Sequence, residues 1–233
     1  MWIQLGSCAL VAAAVLAGAD IHGTIVIDRK LSRHNVTASV GMYQRGVAVE
    51  LGADGETDPL AFERSHVAVY LEGGPKSTAT EFPKASIEQK DRRFAPDLVV
   101  IPAGSTVPFP NFDPIFHNVF SLSKAKSFDL GNYPEGQSRL VTFPVPGVVA
   151  VYCHLHSNMA ASIVVAPSRW AVRVDKDGIF SLKDVPAGTY TVVAWHKTAG
   201  TFRKTLTIGE RDAAVSFTLP YAEPTDAGHV AHR

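Results

Sequence analysis

The chain has 233 residues, and its 22 Lys and Arg balance 22 Asp and Glu with no basic block to follow a phosphate backbone, which argues against a nucleic-acid partner. Hydrophobic residues make up 46%, enough for buried cores, and 18 Gly with 15 Pro suit short strands and many turns, so the expected fold class is all-β. The length allows one or two domains, and two fit the pattern below.

The opening MWIQLGSCALVAAAVLAGAD has an apolar run over 8–16, then small Ala17, Gly18 and Ala19 at a cleavage position. This is the pattern of a signal peptide over 1–19, although no Lys or Arg precedes the run. The run falls short of the ~20 residues that span a bilayer. Cleavage takes Cys8 away and leaves Cys153 as the one cysteine of an exported chain, periplasmic or extracellular. An unpaired thiol there is a liability unless something such as a metal occupies it.

Residues 21–27 (IHGTIVI) read as a strand with a turn-forming Gly23 near its start, and 35–37 form a glycosylation sequon. The strand pattern at 66–72 (HVAVYLE) alternates and is stopped by Gly73, Gly74 and Pro75. LVVIP and STVPFPN are strands separated by a Gly-containing turn, and they lead into NFDPIFHNVFSLS, which holds His117. Turn chemistry follows at Gly131, at Pro134, Glu135 and Gly136, and at Pro146 and Gly147, with RLVTF as a strand between.

VAVYCHLHSNMAASIVV, 149–165, reads as strand, tight loop and strand. Its loop sets Cys153, His156 and Met159 at intervals of three, so a thiolate, an imidazole and a thioether can converge on one point. With His117 upstream, the donors are two His, one Cys and a weak axial Met, the set used by electron-transfer copper sites. Singly, each has a plainer role: the Cys as a small buried hydrophobe, the Met as core filler, the His as a surface group. Their joint order and spacing point to a metal. Zinc prefers closed sites, often with several thiolates, whereas this loop offers one thiolate and a thioether, which favours copper, one ion per chain.

FHNVFS followed by YCHLHSNM resembles the plastocyanin and amicyanin branch of the cupredoxins, the short Cys-x-x-His-x-x-Met loop being the amicyanin-like feature. The resemblance covers 82–166. It implies a Greek-key β-sandwich, a type 1 copper ligated by His117, Cys153, His156 and Met159, and Asn118 tying the two ligand loops together. It also implies an electron carrier and not an enzyme. In that family the second histidine presents its ring edge amid apolar residues. Here Phe109, Pro110, Pro114, Phe116 and Ala160 are the candidates for the patch that redox protein partners would touch, such encounters being small and transient. His154 beside Cys153 resembles multicopper oxidases, but Tyr152, the single His-x-His and the short Cys-to-His spacing depart from them. On a strand His154 faces solvent or the second domain, and His196 near it would offer a second metal position.

Beyond Ala166 come WAVRV, IFSL, TYTVVAWH, FRKTLTI and AAVSFTL, five short strands. DKDGIFSLKDVPAGTYTVVAWH resembles the later part of a carboxypeptidase regulatory-like, transthyretin-type sandwich, whose opening strands look like GTIVI and HVAVYLE. The implied second domain is split in sequence, 20–76 with 169–221, around the 82–166 domain, since insertion at exposed loop tips is well tolerated. A disordered tail is expected over 222–233. Proteins with such companion domains resemble components attributed to methylamine utilisation. The expected function is an exported type 1 copper protein that carries single electrons. The alternative is a protein that sequesters or delivers copper, or one that uses the fold as a recognition module.

Overall fold

The computed structural model describes residues 18–31, 58–74 and 84–220, so most of the signal-like segment, the sequon and the tail lie outside the described residues. In chain order the elements are β1 (Ala19–Val26), α1 (Ala61–Ser65), β2 (Val67–Glu72), β3 (Glu88–Lys90), β4 (Arg93–Ala95), β5 (Leu98–Pro102), β6 (Thr106–Pro110), β7 (His117–Ser123) and β8 (Lys126–Tyr133). They continue with β9 (Ser138–Thr142), β10 (Gly147–Tyr152), β11 (Ala160–Ala166), β12 (Ala171–Arg173), β13 (Ile179–Val185), β14 (Gly188–His196), β15 (Gly200–Ile208) and β16 (Ala213–Thr218). The all-β expectation holds.

A central sandwich sets the five-stranded sheet β5-β11-β10-β7-β8 against the pair β6-β9 and the hairpin β3-β4. Alternation does this: Val149 and Val151 of β10 turn inward with Ile163 and Val165 of β11, and they meet Phe109, Tyr133 and Phe143. A flanking sandwich packs β13-β1-β16 on β12-β2-β14-β15 around Ile21, Leu71, Val192 and Leu219. Strands from both ends of the chain share its sheets. β1 pairs antiparallel with β13 and parallel with β16, while β2 lies between β12 and β14.

Two sequence readings need correction. Gly23 does not make a turn; it lies inside β1, where a Cβ would come within 2.0 Å of the Phe180 ring, so glycine lets that ring cross the strand. Gly131 was expected in a turn, yet it lies within β8, whose φ of 64° at that residue is one glycine accepts without a side-chain clash. The loop-like polarity of β8 reflects one face open to water, with Phe128 and Leu130 packing inward.

The two sandwiches meet along an apolar seam. Ala68 of β2 is buried against Leu98 and Val164, flanked by Tyr70, Val100 and Trp195. β2 and β11 are therefore largely apolar on both faces, which explains the runs VAVYL and IVVA. His66 Nε2 adds a polar tie at the seam, 2.7 Å from the Asp97 carboxylate. Among the described residues no helix is long and apolar enough to cross a membrane.

Candidate metal centre

Cys153 follows β10 directly, and the inward alternation of Val149 and Val151 carries its side chain into the core, where it is 5% exposed. The chain then makes a tight loop, closed by the Met159 N–H donating to the His156 carbonyl at 3.1 Å, before entering β11 at Ala160. His117 opens β7, opposite Tyr133 of β8, and is fully buried. Three donor atoms converge: Cys153 Sγ lies 4.0 Å from His117 Nδ1 and 3.8 Å from His156 Nδ1, and the two Nδ1 atoms are 3.2 Å apart. A triangle with these edges has its centre about 2.1 Å from each corner, against metal–imidazole and metal–thiolate bonds of about 2.0–2.1 and 2.3 Å. One transition-metal ion fits the three.

Met159 is 1% exposed and belongs to the same apolar cluster as Cys153. Asn118 Oδ1 accepts the His154 N–H at 3.4 Å, and its Nδ2 donates to Asp129 at 2.7 Å, so the residue after His117 is bonded to the residue after Cys153.

Asp113 was not singled out from the sequence, and it orients the His117 ring. Its Oδ2 accepts the His117 Nε2 proton at 2.7 Å. This places the proton on Nε2 and turns the Nδ1 lone pair toward Cys153 and His156. Oδ1 accepts the Asp91 N–H at 2.7 Å and Oδ2 the Arg92 N–H at 2.9 Å. Burial pushes the Asp113 carboxyl up, but the Arg92 N–H, the His117 ring and the Asp91 N–H together hold it below the usual carboxylate range. The available signal was an acid four residues before His117 in a Pro-flanked loop. Burial, followed by the positive fields of His117 and Arg92, lowers the His156 ring below its usual range, against the opposing pull of Asp113. That favours the neutral form a ligand needs. Opposite His117, burial pushes the Tyr133 phenol up to about 12, so it is a neutral wall of the site, its hydroxyl donating to the Phe109 carbonyl at 2.8 Å.

The expected apolar patch is corrected in part. Phe109 is fully buried, because Pro108, Phe109 and Pro110 belong to β6, paired with β9, and strand alternation sends the ring inward. Pro114 and Phe116 are exposed, Pro110 and Ala160 half-buried, and Phe112 and Leu155 join them at 51% and 50% exposure. His154 faces solvent, its ring stacked on Phe120 at 3.7 Å and its Nε2 3.6 Å from Asp129. His196 offers no second metal position beside it. It is buried in the flanking sandwich, where Nε2 lies 3.3 Å from Glu63 and Nδ1 accepts the N–H groups of Thr198 and Ala199.

No family model matches the chain. No curated protein matches it significantly. Solved structures similar to part of it include the copper-containing nitrite reductase of Thermus scotoductus SA-01, 24% identical over 41% of this chain and 25% of that one, with a TM-score of 0.35. The chain thus spans a quarter of the reductase. A purple cupredoxin from Nitrosopumilus maritimus is 24% identical over 35% of this chain and 99% of its own, with a TM-score of 0.32. Amicyanin from Paracoccus versutus is 20% identical over 42% and 96%, with a TM-score of 0.33.

Proposed function

We propose that this chain is an exported type 1 copper protein of cupredoxin type that carries single electrons between redox partners and is not itself an enzyme. The observation that supports this best is the convergence of one thiol sulfur and two Nδ1 atoms within 4.8 Å of one another, at the loop end of a β-sandwich. Copper held by His117, Cys153 and His156, with the thioether of Met159 as a further, weaker donor, would supply a one-electron couple. The rest falls to the protein. Asp113 fixes the His117 ring, the β10-β11 pairing fixes both ends of the ligand loop, and the surrounding core keeps water from Cys153. His156 is the half-exposed ligand, and Phe112, Phe116 and Leu155 on the ligand-bearing loops give a partner an apolar contact beside it. On this reading the sandwich formed by 20–76 with 169–221 carries the copper domain, 82–166, as an insert, and the opening residues direct export.

Loading the full chain with copper should produce an intense visible band, the thiolate-to-Cu(II) charge transfer, and Cys153→Ser should abolish it because a hydroxyl cannot replace the thiolate. A protein that holds copper without this band would be a sequestering or delivery protein instead. Met159→Leu should keep the copper and raise the reduction potential, and complete loss of copper in that variant would contradict a weak-donor role for Met159.

A further inference from the structure

The turn between β3 and β4 has no part in the function proposed so far. Lys90 pairs with Arg93, which leaves Asp91 and Arg92 as a two-residue turn with φ of 54° and 55°. Such turns require left-handed backbone at both positions and favour Asn-Gly, because other side chains are disfavoured there. Here the chain places Asp-Arg, and it fastens this unfavourable corner to both ligand loops. Asp113, which holds His117, accepts both turn N–H groups. From the second ligand loop, Asn158 Nδ2 lies 3.4 Å from the Arg92 carbonyl, and the Phe112 N–H donates to the Gln89 carbonyl at 2.8 Å. An outlying backbone conformation that the surroundings over-determine invites a functional reason.

That reason is the side chain the corner presents. Arg92 is exposed, and its carbonyl lies 3.4 Å from Asn158 Nδ2, two residues after His156 in the same loop. Exposed Lys90 and Arg93 flank it, so the hairpin shows solvent three cations against exposed Asp91 and half-buried Glu88, the third carboxylate in contact, Asp113, being buried beneath the turn. Exposed Phe112 is bonded to the same hairpin, and exposed Leu155 precedes His156.

We infer that the β3-β4 tip, led by Arg92, is a cationic rim beside the apolar contact at His156 and docks redox proteins whose own contact surface is acidic. The inference rests on the electron-carrier reading and adds the chemistry of the partner to it. Attraction between exposed charges raises association rates and is screened by salt, which makes the rim testable without the natural partner.

The test uses hexacyanochromate(III), a redox-inert paramagnetic trianion, titrated into the isotope-labelled full chain, metal-free and copper-loaded, with amide line broadening as the readout. Broadening should centre on Arg92, Phe112, Leu155 and His156, disappear in Arg92→Glu, persist in Arg92→Lys and weaken as salt is added. In the copper-loaded, reduced protein the second-order rate at which hexacyanoferrate(III) takes one electron from Cu(I), giving Cu(II) and hexacyanoferrate(II), should fall about tenfold at low ionic strength in Arg92→Glu. Broadening centred elsewhere, broadening unchanged in Arg92→Glu, or equal hexacyanoferrate rates would overturn the inference. So would an Arg92→Lys as deficient as Arg92→Glu, since that would make the arginine structural. A chain that takes up no copper would sink the electron-carrier reading, while the metal-free broadening map would still decide whether the rim attracts anions.

Discussion

In the central sandwich Asp113 accepts the Nε2 proton of His117 at 2.7 Å, and in the flanking sandwich Glu63 faces Nε2 of His196 at 3.3 Å. Both histidines are buried, and both carboxylates also accept backbone N–H groups, Asp113 from Asp91 and Arg92 and Glu63 from Leu31. The difference lies in the other ring nitrogen. His196 Nδ1 is used up by the N–H groups of Thr198 and Ala199, whereas His117 Nδ1 faces a sulfur and a second Nδ1. A buried histidine–carboxylate pair is therefore no metal site by itself. What decides the role is where the remaining lone pair points: onto the histidine's own loop it locks a strand end, and toward other soft donors it makes a ligand.

The largest effect that separates the pairs is expected on stability. Glu63→Ala leaves the Leu31 N–H buried without its acceptor and removes the carboxylate that faces His196 Nε2, at a cost of about 3 kcal/mol in total. Urea unfolding should show this loss while copper uptake and the visible band stay unchanged. A Glu63→Ala protein that is fully stable but fails to bind copper would reverse the roles assigned to the two pairs.

The matching change on the other side, Asp113→Asn, should cost less stability and more metal. A neutral amide can still accept the His117 proton, but it withdraws the negative charge that makes the ring a better donor. Copper affinity should fall about tenfold, the lower end for such supporting groups, and the reduction potential should rise. Competition with a chelator and voltammetry measure the two. An unchanged affinity and potential would leave Asp113 as no more than an anchor for the β3-β4 turn.

The proposed ligands could be read from the sequence because three of them share one short loop, so spacing within Cys-x-x-His-x-x-Met is nearly spatial information, and the structure brings the sulfur of Cys153 and the rings of His117 and His156 together. Asp113 was hidden by its distance from that loop, and its burial depends on the β3-β4 hairpin, which itself went unread. Lys90-Asp91-Arg92-Arg93 carries no Asn-Gly signal, and its backbone is held by a side chain from elsewhere. Phe109 misled because STVPFPN was read as a strand leading into the first histidine loop without its inward face being assigned; alternation along β6, which pairs with β9, turns the ring into the core. The pairing of β1 with β13 and β16 is a long-range contact that pattern resemblance suggested and local periodicity could not. His196 looked like a possible ligand because the sequence does not show that its loop folds back onto Nδ1.

The smallest effect, and the one that resolves the two pairs within a single protein, is their response to acid. Burial lowers the His196 ring below its ordinary value, with the charge of His66 adding to this and Glu63 opposing it. The unfolded chain therefore takes up this proton first. The contribution to stability is complete above the unfolded histidine value of about 6.5 and declines as pH falls from there toward the folded value. Asp113 is also lowered, because its hydrogen bonds outweigh its burial, but its unfolded value is about 3.9, so its contribution is lost only below that pH. The metal-free chain should thus lose stability in two separate windows, the upper one shared by His196 of the flanking sandwich and His156 of the central one, whose ring is also lowered. Trp170 and Trp195 both lie in the flanking sandwich, so their fluorescence during urea unfolding between pH 8 and 3 reads its part of the upper window. His196→Gln, which can still donate to Glu63 but cannot titrate, should flatten the slope below about pH 6.5 and leave the slope below about pH 4 in place. A slope between these values that is the same in both proteins would mean that another group controls the acid response of the flanking sandwich.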